Sequence, residues 1–280
     1  RPISVSSVLR KLDVSRSGYY KWLHHQPSNR ALHKKRIVEQ IKLIHIGSHQ
    51  IYGAPKITEE LRKVGNKISE KTVGNYMREN HLKACYISPY VRTTYSEDFS
   101  NRLTNILKQK FNPQEPHTSW CTDITYIHTK DDGFVYLTSI MDLYSRKIIS
   151  WEVSNSLSVE AVVKTVEEAR KERTHEKPLV IHSDRRIQFT SKEFIEATKG
   201  FTRSYSAKGY PYDNACIEAF HSVIKREWLN RYDFKNIEEV KASTFEYINA
   251  FYNTVRIHSH CKFMSPAEYE NRYQNGKTSV

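Results

Sequence analysis

Apolar positions recur with a period near 3.6 along the first part of the chain and near 2 along the second. Val5, Val8, Leu9 and Leu12 follow i, i+3, i+4, i+7 spacing and predict a short helix. A turn at Asp13-Val14 and a capping Ser15 predict a second helix through Tyr19, Tyr20 and Leu23. Pro27-Ser28-Asn29 breaks that pattern. Ile37, Ile41 and Ile44 form the next stripe, and Ile57 and Leu61 another after Gly53-Ala54-Pro55, with Pro55 acceptable in a first turn. Gly65-Asn66 ends it. Ser69 then caps a helix that turns Val73, Tyr76 and Met77 inward.

From residue 117 alternation takes over. A short β-branched run spans Thr122 to His128, and Asp131-Asp132-Gly133 is a hairpin turn. Phe134, Tyr136, Thr138 and Ile140 alternate, and Arg146-Lys147 leads into a third strand from Ile148 to Val153. Ser158 caps a helix carrying Ala161, Val162, Val166 and Ala169. A buried strand follows from Leu179 to His182. Thr190 with Glu193 reads as a capping box, and Thr202 to Ser206 as a fifth strand. Asp213 or Asn214 caps a helix containing Glu218. Asn236 with Glu239 caps a last long helix with Val240, Thr244, Ile248 and Phe251 inside. Three antiparallel strands, a helix, a strand, a helix and a strand make a mixed five-stranded sheet flanked by helices, the order of the ribonuclease-H-like α/β fold. In that order the first strand is central and the fourth lies beside it.

These patterns divide the chain into a small helical segment at 1–26, a helical domain at 30–82, a connector at 83–116, an α/β core at 117–230 and a helical extension at 231–280. The helix, turn, capped-helix layout of 30–82 is that of a helix-turn-helix DNA reader. Its last helix turns Lys71, Thr72, Asn75 and Arg78 outward, side chains suited to phosphates and base edges. A plain three-helix bundle has the same periodicity, so charge has to separate the two. Residues 1–116 carry 21 Lys/Arg against 9 Asp/Glu, and residues 117–280 carry 23 against 22. A basic front end joined to a near-neutral core favours capture of nucleic acid. Tyr86, Tyr90 and Tyr95, interleaved with basic residues, fit a nucleic-acid-tracking connector or a plain basic linker.

The remaining composition narrows the class. No apolar run approaches the roughly 18 residues that span a bilayer. The four cysteines are scattered without a C-x-x-C, which fits a reducing cytoplasm better than a zinc site. His24-His25 and His258-Ser259-His260 have no matching cysteine pair and read as surface or DNA-facing histidines. The chain opens on Arg1 rather than Met, which fits a fragment, a processed product or part of a fusion.

Three acids stand out. Asp123 lies in a strand pattern, Asp184 ends another, and Glu218 lies on a helix. A carboxylate within a half-buried strand is costly unless it is paired or holds a metal. Three that converge suit Mg²⁺ or Mn²⁺, and two such ions about 4 Å apart activate an attacking oxygen and stabilise a leaving oxygen on phosphorus.

The segments Trp120-Cys121-Thr122-Asp123-Ile124-Thr125-Tyr126, His182-Ser183-Asp184-Arg185 and Gly209-Tyr210-Pro211-Tyr212-Asp213-Asn214-Ala215-Cys216-Ile217-Glu218 resemble the three acidic motifs of DDE transposases. They look most like those of the second-reading-frame (OrfB) type of bacterial insertion sequences of family three, relatives of retroviral integrases. The tail Tyr252-Asn253-Thr254-Val255-Arg256-Ile257-His258-Ser259 and Ser265-Pro266 fits the same group, so the resemblance covers residues 30–270.

The resemblance implies that Asp123, Asp184 and Glu218 form a triad holding two Mg²⁺ (or Mn²⁺) ions. Lys225, two turns beyond Glu218, would contact DNA near the cleaved phosphate, with Lys208 a second candidate. It implies hydrolysis at an element end, then strand transfer by the freed 3′-hydroxyl, often through a circular intermediate. It also implies a homo-oligomer on DNA, an upstream-frame partner or fusion, and a nucleoid-associated place in a bacterial cytoplasm. Two features depart from the group: a shorter spacer between Asp184 and Glu218, and Arg186 where the family has Gly. Were φ positive at 186, arginine would cost about 1–2 kcal/mol and shift Asp184. A nuclease of the same fold that cuts without joining, and a DNA-binding regulator with an inactive core, stand as alternative readings.

Overall fold

The structure, a computed structural model, describes residues 4–85, 103–173, 177–207 and 211–278. The chain forms two compact units, 1–84 and 85–280.

Among the described residues, the first unit holds five helices: α1 (Val5–Lys11), α2 (Arg16–Leu23), α3 (Asn29–Gly47), α4 (Ala54–Lys63) and α5 (Glu70–Glu79). Ser4, Ser15, Ser28 and Ser69 each accept a first-turn backbone N–H, which satisfies donors that helix geometry leaves open. Ile37 and Ile41 of α3, Ile57 and Leu61 of α4, and Val73 and Met77 of α5 are buried and make a small core. In α1 and α2 only Leu9 is buried, while Leu12 and Trp22 are exposed.

In the second unit β1 (Ser119–His128), β2 (Phe134–Asp142), β3 (Ile148–Ser154), β4 (Val180–Ser183) and β5 (Thr202–Tyr205) form one sheet in the order β3-β2-β1-β4-β5. This is the expected ribonuclease-H-like order. The β1–β2 and β2–β3 pairs are antiparallel, and β1–β4 and β4–β5 are parallel. Gly133, with φ of 69°, lets the β1–β2 hairpin turn tightly. Trp120, Ile124 and Ile140 of the sheet pack with Val162, Val166 and Ala169 of α6 (Val159–Lys171) and with Phe189 and Phe194 in one core. Phe189 lies in α7 (Ile187–Thr190) and Phe194 in α8 (Lys192–Ala197). α9 (Ala215–Glu227) packs on β1 and β2, and α10 (Ile237–Phe245) on β3.

Several elements differ from the sequence expectation. Ser191, not Thr190, caps α8, because α7 uses Thr190 as its own last residue. The last long helix keeps its buried stripe of Val240, Thr244, Ile248 and Phe251, but widens from α10 into a π-helix at Glu246–Tyr252. A further helix, α11 (Pro266–Thr278), follows. Residues 103–116 are not a free connector. Leu107 is buried, the backbone N–H groups of Ile106 and Leu107 donate to Ser204 Oγ at 2.9 Å, and Tyr205 N–H donates to Thr104 O at 3.0 Å.

The C-terminal segment is tied to the core. Asn253 bonds both the N–H (3.0 Å) and the C=O (2.9 Å) of Ile148. Arg256 makes a fork with Glu227 at 2.7 and 2.6 Å, and Tyr247 donates to the same carboxylate at 2.7 Å. Arg256 and Glu227 are only 8% and 15% exposed in their side chains, so each needs the other. Arg256→Ala is therefore expected to cost about 3 kcal/mol by stranding the carboxylate, measured by chemical denaturation. A loss within experimental error would show that this pair does not hold the segment in place.

Candidate functional site

Parallel pairing brings the two aspartates together. β1 and β4 pair as Ser119 with Val180, Trp120 with Ile181 and Cys121 with His182. Continued by two residues, that register sets Asp123 opposite Asp184, which follows β4 directly. β4 thus ends where the acids meet, and β1 runs on past it. The Ile124 carbonyl at that step is satisfied by a side chain: Arg186 Nη1 donates to it at 2.7 Å.

Helix α9 is pinned to β1 at several points. The Asn214 side-chain amide donates to the Thr122 carbonyl at 3.1 Å. His221 shares a 2.6 Å hydrogen bond with Ser139 through Nε2, and its Nδ1 stands 3.5 Å from Asp123 Oδ2. Lys225 Nζ lies 4.4 Å from the centre of the Tyr126 ring. Positions 214, 218, 221 and 225 follow the i, i+4, i+7, i+11 spacing of one helix face. Glu218 thus stands between residues anchored at Thr122 and at Asp123. It is near enough to Asp184 to act on its ionisation.

The N-terminus of α9 is built differently from the sequence expectation. Neither Asp213 nor Asn214 caps the helix with its side chain. Asn214 is spent on Thr122, and the Asp213 carboxylate accepts from Asn105 (2.8 Å), Gln109 (2.9 Å) and the Ala207 backbone (2.7 Å). A 3₁₀ turn, Pro211–Asn214, leads into the helix instead.

Charge is concentrated at Asp123 and Asp184. Asp123 is buried, 8% exposed, and its Oδ1 makes no hydrogen bond. Burial works against its charge, yet His221 and then Arg186 outweigh it and hold the carboxyl below its usual range. Asp184 goes the other way. Burial, then the Asp123 carboxylate, push it up to about 6, and Arg186 only partly opposes them. Arg186 Nε lies 3.0 Å from Asp184 Oδ2, and Nη1 lies 3.4 Å from Asp123 Oδ1. The Arg186 backbone N–H also donates to Asp184 Oδ1 at 3.0 Å.

The backbone at 186 has φ of −59° and ψ of 151°, ordinary for any residue. The strain expected from arginine at a glycine position is absent, because the chain leaves β4 extended. Nearby, His182 is buried between Ser204 and Ser206 and held down to about 4 by that burial.

The donor set fits a hard cation. Its groups are carboxylate oxygens, and one of them, Asp123 Oδ1, is buried without a hydrogen bond. Among the described residues, however, no three His, Cys, Asp or Glu side chains are drawn into one coordination sphere. Between Asp123 and Asp184 the positive charge is supplied by Arg186.

The remaining expected site residues are placed as follows. On α5, Lys71 and Arg78 are exposed, whereas Thr72 and Asn75 are half-buried. Thr72 shares a 2.8 Å hydrogen bond with the capping Ser69, and Asn75 accepts from Arg78 at 3.2 Å. Lys208 lies outside the described residues, as do Tyr86, Tyr90 and Tyr95. His221 and Ser139 were not among the expected site residues. The signal for His221 was its position three residues after Glu218 on the same helix.

Three family models match the chain. Residues 113–211 match the integrase core domain family, residues 199–266 match a second integrase core domain family, and residues 33–88 match an HTH-like domain. The chain is 33% identical over 273 residues to the transposase InsF of insertion sequence IS3A of Escherichia coli (strain K12), covering 96% of this chain and 94% of that one. It is 33% identical over 262 residues to an uncharacterized 31 kDa protein of insertion element IS600 of Shigella sonnei, covering 93% and 96%. Among solved structures it is similar to the HTLV-2 integrase catalytic core domain in complex with magnesium. That likeness has a TM-score of 0.44 and 16% identity over 56% of this chain and 98% of that one.

A carboxyl raised in the folded state contributes stability below its unfolded value, near 3.8, and loses that contribution as pH rises through about 6. Asp184→Asn removes the titration. In metal-free buffer the melting temperature of this variant, relative to the unaltered protein, is expected to rise between pH 4 and pH 7. A difference that stays constant with pH would contradict this assignment.

Proposed function

The chain belongs to the family of the insertion-sequence IS3 transposases, and on that footing we propose that Asp123, Asp184 and Glu218 hold the divalent cations of its DNA cleavage and strand transfer. The observation that carries this reading is the β1–β4 register, which sets Asp184 opposite Asp123 at the centre of the sheet, beneath the anchored face of α9.

Integrase-type cores are metal-dependent. Two Mg²⁺ or Mn²⁺ ions held by the three carboxylates would activate the attacking oxygen and stabilise the leaving oxygen at phosphorus. The protein's own residues align and support. Ser139 holds His221, and His221 orients Asp123 from behind. Asn214 fixes the start of α9, so Glu218 is presented to β1 at a set height. Lys225, steadied over the Tyr126 ring, places a positive charge two turns from Glu218 for a DNA phosphate. No side-chain nucleophile is required, since water and then a DNA 3′-hydroxyl attack in turn.

The N-terminal unit supplies DNA capture. Lys71 and Arg78 on α5 are open to phosphates, and Thr72 and Asn75 sit on the same helix for base edges. Two element ends must meet for joining, which calls for two or more copies on DNA. An upstream-frame product, separate or fused, is the partner that membership of this family suggests, and the place of action is the bacterial cytoplasm at the nucleoid. Among the described residues no helix is long and apolar enough to cross a membrane.

Three substitutions test the triad. Asp123→Asn, Asp184→Asn and Glu218→Gln are each expected to abolish cleavage of an element end and joining of a pre-cleaved end, while DNA binding survives. Near-normal cleavage by any one of them would overturn the assignment. Cleavage without any joined product by the unaltered protein would favour a plain nuclease.

Lys225→Ala is expected to weaken DNA binding and to flatten its salt dependence, because one phosphate contact fewer releases one counterion fewer. An unchanged salt slope would place Lys225 away from DNA.

A further inference from the structure

Arg186 is held against both aspartates from several directions. Nε lies 3.0 Å from Asp184 Oδ2, Nη1 lies 3.4 Å from Asp123 Oδ1, and Nη1 also donates to the Ile124 carbonyl at 2.7 Å. The Arg186 backbone N–H binds the second Asp184 oxygen at 3.0 Å. With φ of −59° and ψ of 151°, nothing in the backbone resists this placement. The side chain is 31% exposed, so it is not enclosed in the core.

A guanidinium and a divalent cation compete for the same carboxylate oxygens. Two facing carboxylates at a sheet centre repel unless positive charge stands between them, and a planar fork beside both is well shaped to supply it. We propose that Arg186 is a built-in counter-cation, which occupies the Asp123–Asp184 pair in the metal-free protein and must move off it before a divalent ion loads. This rests on the reading of the acids as a cation site.

The consequence is coupling between metal and DNA. A displaced guanidinium needs a new anion, and a DNA phosphate brought to the site provides one. Metal and DNA then each favour the state in which Arg186 has let go, so each raises the affinity of the other. Without DNA the protein keeps its own cation and binds metal weakly.

Mn²⁺ binding to the DNA-free full chain, followed by the electron paramagnetic resonance of free aqueous Mn²⁺, tests this. Arg186→Gln is expected to bind Mn²⁺ tighter than the unaltered protein by about tenfold, the charge-assisted contacts having been removed. Asp184→Asn is expected to lose binding in either background. If Asp184→Asn weakens Mn²⁺ binding but Arg186→Gln does not strengthen it, the counter-cation proposal fails and the cation site stands. If Asp184→Asn changes nothing, the cation site itself fails.

A second measurement needs no loss of charge and reads the unaltered protein. The Arg186 Nε–H resonance, assigned through Arg186→Lys, is expected to shift as Mg²⁺ is added and to stay fixed in Asp184→Asn. A resonance unmoved at saturating Mg²⁺ would overturn the proposal.

Discussion

Asp123 sits in the central strand of the sheet, 8% exposed, where an ionised carboxylate persists only beside positive charge or a donor. Much of the second unit is arranged around that constraint. His221 approaches from α9, Arg186 approaches from the segment after β4, and Ser139 on the neighbouring strand holds His221 from behind. Parallel pairing then adds Asp184 at the matching register position. The two acids differ in environment and therefore in ionisation: Asp123 is held charged, while Asp184 is raised to about 6. A divalent ion held by both would remove that difference, since both carboxylates bind it best when ionised.

The helix that carries Glu218 depends on the same strand. Its contacts to Thr122, Asp123 and Tyr126 run along β1 in order, so the height of Glu218 follows from the position of Asp123. Beyond α9, the Arg256–Glu227 fork ties the helix end to the C-terminal segment. On the other side, Asp213 gathers Asn105, Gln109 and the Ala207 backbone, which joins the segment before β1 to the approach to α9. Parts that looked like linker and appendage in the sequence are thus braces for the acidic site.

Much of this was legible in the residues. Alternation from Phe134 to Ile140, the Asp131-Asp132-Gly133 turn and the capping Ser158 set out the meander and the first crossover helix, and the sheet order followed from them. Asp123 and Asp184 were visible because carboxylates are out of place in apolar strand patterns. What escaped depended on tertiary contacts. The π-helix at Glu246–Tyr252 keeps an ordinary helical stripe, so periodicity does not betray it. Asn214 looks like a cap but is used by β1. Arg186 looked like a source of strain because the family has Gly there, but its backbone is extended, and its side chain's destination, two carboxylates and the Ile124 carbonyl, is not written in the local sequence.

The most direct measurement is anomalous diffraction from crystals of the protein on a pre-cleaved element end soaked in Mn²⁺. The account predicts Mn²⁺ peaks within bonding distance of Asp123 and Asp184, with Glu218 on the same cluster and the Arg186 guanidinium turned away from both aspartates. Peaks confined to other residues, or a Glu218 carboxylate remote from ions bound at the aspartates, would contradict it.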